Sequence, residues 1–383
     1  TMKNHVIVFS TTYFPLVGGA EIAMKEITDR LPHFEFHLYC ARIKSGLPST
    51  EKIGNVTVHR VGFGYPIDKY LLPLFGPVKA LLTTHYSLPT ITWSLMASYG
   101  GFAALVYSWF RPKSKLLLTL QEGDPLEHYA KRAGPFIFLH KKIFRRANAV
   151  QAISHFLGAW AKQMGFRGTL VIIPNGVDGH RFTNVQAPKR SMRCVRLRLE
   201  MGFIDSDVVL VTTSRLSLKN GVDDLIRSLS FLPYNYKALI IGQGEDREKL
   251  VDLTEQNNLK DRVVFLGSRT HDELPELLHV SDVFVRPSLS EGLGNSFLEA
   301  MAAEIPIVGT PVGGIPDFLV DGETGVFCQV RDPESIARAV LRLQENPFLR
   351  SHVIVQARNT VLDRYGWDGI ANEIGDLITS LSV

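Results

Sequence analysis

Cysteine is nearly absent from this sequence of 383 residues. Cys40, Cys194 and Cys328 stand far apart, and none has the spacing of a metal-ligand pair. That argues against a disulfide framework or a cysteine-based zinc module and fits a reducing cytosolic compartment. An excess of one sign of charge is lacking too. The net charge of +4 is too small to imply nucleic-acid binding, though it suits an anionic substrate or a membrane surface. There is no internal repeat and no low-complexity segment. No complete G-x-G-x-x-G opens the first helix, which disfavours a dinucleotide-dependent dehydrogenase. The first apolar run, Val6 to Phe9, is shorter than a secretory signal core. One absence is local: from Leu81 to Phe110 there is no Asp, Glu, Lys or Arg. Such a length could cross a bilayer, which needs about 20 apolar residues. Pro89, Gly100, Gly101 and the many Ser and Thr favour a buried strand followed by a helix.

What is present is an ordinary globular composition, 45% hydrophobic and 21% charged. The length exceeds what one core usually holds, about 250–300 residues, and predicts two domains. In the second half, short apolar runs (Val208–Thr212, Ala238–Gly242, Val263–Leu266, Val283–Val285, Pro306–Gly309) alternate with amphipathic stretches (Val222–Phe231, Asp246–Glu255, Asp272–His279, Ser296–Ala303). Repeated strand–helix units predict a parallel sheet covered on both faces. The first half opens alike, with strands at His5–Ser10, Glu35–Tyr39, Val56–Val61, Leu116–Leu120 and Val150–Ile153 and a helix over Ala20–Leu31. The prediction is two Rossmann-like, doubly wound domains facing a central cleft. They span 1–190 and 191–365, with a helix over 366–383 returning to the first. Ligands in such sheets bind at the carboxyl ends of the strands.

Four constellations lie after strands. In Glu291-Gly292-Leu293-Gly294-Asn295-Ser296-Phe297-Leu298-Glu299, the glycines permit a tight turn and close approach to a ligand. Asn295 or Ser296 is expected to cap the next helix, whose N-terminus offers N–H groups to an anion. Glu299 sits among Phe297, Leu298, Ala300 and Met301. There it needs hydrogen-bond partners, which ribose hydroxyls would supply. The dipole-favoured Glu of an ordinary helix is the alternative. Arg215 to Gly221 pairs a planar guanidinium with the ammonium of Lys219, which suits a diphosphate; a solvated basic loop would carry the same residues. Gly18-Gly19-Ala20-Glu21 and Gly242-Gln243-Gly244 open as phosphate-approaching turns or as plain turns. Asp205-Ser206-Asp207 has a metal-diphosphate look but precedes a strand, away from the ligand edge.

Taken in order, these motifs, with Ile173–Asp178, Pro311–Pro316 and Asp321–Gly325, resemble glycosyltransferase family 4 and its GT-B fold over nearly the whole chain. The resemblance implies a retaining glycosyltransferase. It would move a hexose-type sugar from a UDP- or GDP-linked donor to a saccharide or lipid-linked acceptor, by a front-face mechanism, with no cofactor and no metal. Glu291, Arg215 and Lys219 would carry catalysis. Gly18, Gly19, Gly242, Gly244, Gly292, Leu293, Gly294, Asn295, Ser296 and Glu299 would hold the donor. Gln121, Glu122 and Asp124 would face the acceptor. Two departures stand out. Asn220 occupies the place where many relatives carry Lys, which ranks Arg215 above Lys219. Gln121 stands where many carry His and cannot act as a base. An epimerase or hydrolase of the same nucleotide sugar, or a non-catalytic binding protein, are the competing readings. Basic residues flanking Phe136–Leu139 in segment 131–146 suggest either a cytoplasmic protein held at the membrane's inner face or the solvated basic face of a core helix.

Overall fold

The computed structural model describes residues 4–83, 91–125, 134, 137–183 and 192–382. The chain divides into two compact units. One comprises residues up to Glu122, 126–175 and the helix from Trp367; the other comprises Gly123–Pro125 and Gly176–Gly366.

The first unit is built on an eight-stranded sheet. Its strands are β1 (Asn4–Phe9), β2 (Phe34–Ala41), β3 (Thr50–Ile53), β4 (Val56–Val61), β5 (Ile91–Leu95), β6 (Lys115–Leu120), β7 (Ala149–Ala152) and β8 (Thr169–Ile172). They lie in the order β3-β4-β2-β1-β5-β6-β7-β8, parallel except for β3 against β4. One face packs Val6, Val8, Phe36 and Leu38 against Ala23, Met24 and Ile27 of helix Gly19–Asp29. Trp367, Ile370, Ile374 and Ile378 of helix Trp367–Ser382 complete that core. From Ile91 the charge-free run resolves into β5 and the helix Tyr99–Phe110, its residues 84–90 lying outside the described residues, and no described helix is long and apolar enough to cross a membrane.

The second unit holds β9 (Val208–Thr213), β10 (Tyr236–Ile241), β11 (Val263–Gly267), β12 (Val283–Arg286), β13 (Ile307–Gly309) and β14 (Val326–Phe327). Their order is β11-β10-β9-β12-β13-β14, all parallel. The units part at Asn175–Gly176 and not at 190/191. The N–H of Val177 already donates to the Tyr365 carbonyl at 2.8 Å, so the chain beyond Asn175 is anchored in the second core. The polar stretch that suggested the later boundary includes 184–191, outside the described residues.

A parallel sheet sends every strand-to-helix loop to one edge. In the second unit that edge collects the loops after β9, β10, β12 and β13; in the first it collects those after β1, β5 and β6.

Candidate active site in the second unit

The centre of this edge is a residue that the sequence reading passed over. Arg286 ends β12 and is 9% exposed. Its Nη2 lies 2.6 Å from Glu291 Oε2 and donates to Asn220 Oδ1 at 2.9 Å, while Nη1 donates to Ser296 Oγ at 2.6 Å. The guanidinium also sits over the Phe297 ring, 5.9 Å from its centroid. The planar fork thus fastens three segments at one point, a task a lysine ammonium cannot perform. The available signal was a charged residue closing the apolar run Val283-Phe284-Val285, since such residues are rarely buried without a partner.

Glu291 is buried as well. Its Oε1 accepts the Gly292 N–H at 3.2 Å, and its backbone carbonyl accepts the Gly314 N–H at 3.1 Å. A Cβ on Gly313 would fall 1.9 Å from that carbonyl oxygen, which explains the first glycine of the Pro311–Pro316 motif. Gly294, at φ +99°, takes the N-cap position of helix Asn295–Ala302, with no side-chain cap. Neither Asn295 nor Ser296 caps it, as both already lie in the helix and the Ser296 hydroxyl serves Arg286 instead. Leu293 is buried in the turn. Glu299, 8% exposed, meets His271 Nε2 at 3.2 Å, so part of the partnership expected from ribose is supplied by the protein.

The loop after β9 is tied to the same point. Asn220 is 1% exposed and donates to the Arg215 carbonyl at 2.5 Å while accepting from Arg286. The adjacent Lys219 extends its Nζ to the Gly123 carbonyl and Asp124 Oδ1, both at 2.9 Å. A Cβ on Gly123 would meet Lys219 Nζ at 3.3 Å and Glu291 Oε1 at 3.6 Å, so both side chains reach one small region. Arg215 is more remote. It is 69% exposed and pairs with the exposed Glu245 at 3.0 Å. The geometry therefore ranks Lys219 above Arg215 beside Glu291, the reverse of the order read from sequence. Gly242 and Gly244 have a packing reason. A Cβ would lie 1.9 Å from the Ser214 carbonyl oxygen at Gly242 and 2.2 Å from that of Leu216 at Gly244. Asp207 hydrogen-bonds the Ile204 N–H at 2.9 Å at the opposite, amino-terminal end of β9.

In the first unit, the Gly18 N–H donates to Glu21 Oε2 at 2.8 Å, and Gly19 is exposed at the start of its helix. Gln121 accepts from Asn175 at 3.2 Å. Glu122 is 1% exposed; its Oε1 accepts the Ala97 N–H at 2.7 Å, and its Oε2 has no hydrogen-bond partner among the described residues. Burial pushes its carboxyl up from 4.5 to about 7, against the opposing pull of the Ala97 N–H. The sign of the consequence follows. Through pH 4.5 to 7 the unfolded chain gives up this proton and the folded chain keeps it, so stability falls as pH rises, by about 3 kcal/mol, then levels off. Glu122→Gln keeps the acceptor for Ala97 and removes the titration. Urea unfolding should show the variant gaining on wild type by an amount of that order between pH 4 and pH 8. A constant difference across that range contradicts the assignment.

Against known proteins, residues 17–181 match the profile described as Glycosyltransferase Family 4, and 198–360 that of Glycosyl transferases group 1. The N-acetyl-alpha-D-glucosaminyl L-malate synthase of Bacillus anthracis is 30% identical over 388 residues, 94% of each chain. The chain belongs to glycosyltransferase family 4. A GDP-mannose-dependent alpha-(1-6)-phosphatidylinositol monomannoside mannosyltransferase of Mycolicibacterium smegmatis is 31% identical over 62% of this chain and 64% of that one. The structure of HepE from Anabaena in complex with UDP and glucose matches with a TM-score of 0.81 at 20% identity, over 98% of this chain and 100% of that one. This family 4 enzyme therefore has the GT-B fold. Within the range 198–360 that matches the second profile, Arg286 joins the glycine turn around Glu291 to the loop of Lys219 and Asn220.

Proposed function

We propose that this glycosyltransferase transfers a hexose-type sugar from a UDP- or GDP-linked donor with retention of configuration and without a metal. The observation that carries the reading is the convergence of Glu291, Lys219 and the uncapped N-terminus of helix Asn295–Ala302 around the Arg286 fork. Glu291 would hold hydroxyls of the donor sugar and Glu299 those of the ribose. Lys219, Arg215 and the helix N-terminus would stabilise the departing diphosphate, where fixed positive charge lowers the barrier most. The C1–O bond to phosphate breaks as the acceptor oxygen bonds C1 on the same face. The acceptor's proton passes to the leaving phosphate oxygen, so no protein base is required. The HepE complex with UDP and the GDP-mannose dependence of the mycobacterial relative support the donor class. A melting-point screen with UDP-, GDP- and ADP-sugars tests it, since a ligand that binds only the folded chain must raise the midpoint. A midpoint indifferent to all three would overturn the reading.

A lipid-linked acceptor and a membrane-bound working state are favoured by a second observation. Lys131 and Arg132 of the basic segment lie outside the described residues, and helix Ile137–Arg146 turns Ile143 and Phe144 into the core. The better membrane face is elsewhere in the first unit, on helix Asp68–Thr83 and the loop before it. Phe63, Tyr65, Ile67, Tyr70, Leu74, Phe75, Val78 and Leu82 are all exposed there. The only acid from 63 to 83, Asp68, is fully buried, where it accepts the Gly64 and Tyr65 N–H groups. Lys69 and Lys79 are the other charged residues of this stretch. Trp109 and Phe110, exposed at the end of the helix Tyr99–Phe110, are followed by Arg111 and Lys113. Apolar and aromatic groups among cations alone suit an anionic bilayer, and would set like charges against each other in a second copy. Co-sedimentation with anionic phospholipid vesicles is expected at low salt, weaker at high salt and at least tenfold weaker for Leu74→Glu with Phe75→Glu. Absence of binding at low salt, or equal binding by that variant, would end this reading.

A further inference from the structure

One polar cluster lies at the amino-terminal edge of the first sheet, away from the loops that carry the candidate site. β1 and β2 run parallel with His5 opposite Glu35 and Ile7 opposite His37. Side chains alternate along a strand, so His5, Glu35 and His37 all leave the same face. Glu35 Oε2 lies 3.5 Å from His5 Nδ1, and Glu35 Oε1 lies 3.1 Å from His37 Nε2. One donor atom from each of the three can be chosen so that all lie within 4.8 Å of one another. A tetrahedral zinc ion with bonds of about 2.0–2.1 Å requires donors about 3.3–3.4 Å apart. Donors within 4.8 Å of one another reach that edge by side-chain rotation, and Glu35, with one oxygen near each histidine, stands between the two imidazoles.

His37 is oriented from behind. Its Nδ1 is 3.3 Å from His59 Nε2, and His59 Nδ1 is 3.5 Å from Thr50 Oγ1. His59 is 7% exposed and stacks on Tyr39, with ring centroids 4.7 Å apart and planes 11° from parallel, so its ring is fixed. Protons placed on His59 Nδ1, toward Thr50, and on His37 Nδ1, toward His59, leave the His37 Nε2 lone pair directed at Glu35. A partner that fixes the tautomer of an imidazole in this way is what supports histidine as a metal ligand.

We propose that His5, Glu35 and His37 form a binding site for a divalent transition-metal ion of the zinc type, with water completing its coordination. Two imidazoles and one carboxylate suit zinc or its neighbours and not calcium or magnesium, which take oxygen ligands. The ion clips β1 to β2. His5 lies about 13 Å along β1 from Phe9, where the strand gives way to the ligand-edge loop, at about 3.3 Å per residue. The site is therefore structural and separate from sugar transfer.

The test is titration of the full chain with zinc alone, read by calorimetry and by melting midpoint, with cobalt as a spectroscopic substitute. One equivalent should bind, the midpoint should rise, and cobalt should give the visible absorption of a tetrahedral centre. His5→Gln and His37→Gln should each weaken binding at least tenfold with an unchanged circular dichroism spectrum. His352→Gln, at the separate surface pair with Glu323, should leave it unchanged. Chelator should lower the midpoint without altering turnover at a permissive temperature. Wild type that shows no saturable zinc binding overturns the proposal. So do His5→Gln and His37→Gln variants that keep wild-type affinity, or loss of binding through His352→Gln.

Discussion

Glu291→Gln is expected to lower turnover by about 10²–10³-fold, equivalent to about 3–4 kcal/mol, the scale seen when one preorganised electrostatic contact is removed from an active site. The amide matters as a choice of variant. Glutamine still offers Arg286 an acceptor where Glu291 Oε2 stands at 2.6 Å, so the loss of stability should stay at about 1–3 kcal/mol. Glu291→Ala would confuse the two effects, because it leaves the buried guanidinium without its counter-charge. Initial rates of nucleoside diphosphate release, with urea unfolding of the same samples, separate them. Turnover within threefold of wild type would remove Glu291 from the mechanism.

The largest stability effect is expected at Arg286. Arg286→Met strands a carboxylate that is 11% exposed and leaves Asn220 Oδ1 and Ser296 Oγ without their donor. Breaking a buried pair costs about 3–5 kcal/mol. For a unit of this size that lowers the melting midpoint by about 6–20 °C. Arg286→Lys should not rescue it, since one ammonium cannot span three acceptors in a plane. The double variant Arg286→Met with Glu291→Leu should recover most of the stability, as an apolar replacement of a buried pair is often neutral. It should recover none of the turnover. Full stability in the single methionine variant would show that Arg286 does not fasten these segments.

These residues also mark how far the sequence could be read. The Glu291–Glu299 turn was legible because glycines after an apolar strand and before a helix leave few backbone solutions. Arg286 was not, since a lone arginine at the end of a strand gives no hint of which loops return to it. Asn220 looked like a lost lysine for the same reason. Its side chain bonds locally to the Arg215 carbonyl and the Ser217 hydroxyl and accepts from Arg286, and only the fold brings Arg286 to it. Gly242 and Gly244 were legible as glycines following a strand, yet their crowding against Ser214 and Leu216 is a crossing of two loops, which spacing does not encode. Helix Asp68–Thr83 escaped notice because Pro73 and Pro77 normally end a helix, and its exposed apolar face has no periodic polar side to reveal it. The domain boundary was misplaced because composition marks solvated loops, whereas the chain changes cores where Val177 bonds to Tyr365.

The central claim is retaining transfer from a nucleotide sugar, and proton NMR of the newly formed sugar tests it most directly. Wild-type enzyme supplied with UDP-glucose or GDP-mannose, with acceptor or with water alone, is followed before any released sugar can mutarotate. The account predicts nucleoside diphosphate released in step with a first product that keeps the donor's anomeric configuration, and loss of both signals in Glu291→Gln. A first product of inverted configuration, or release undiminished in that variant, would contradict it.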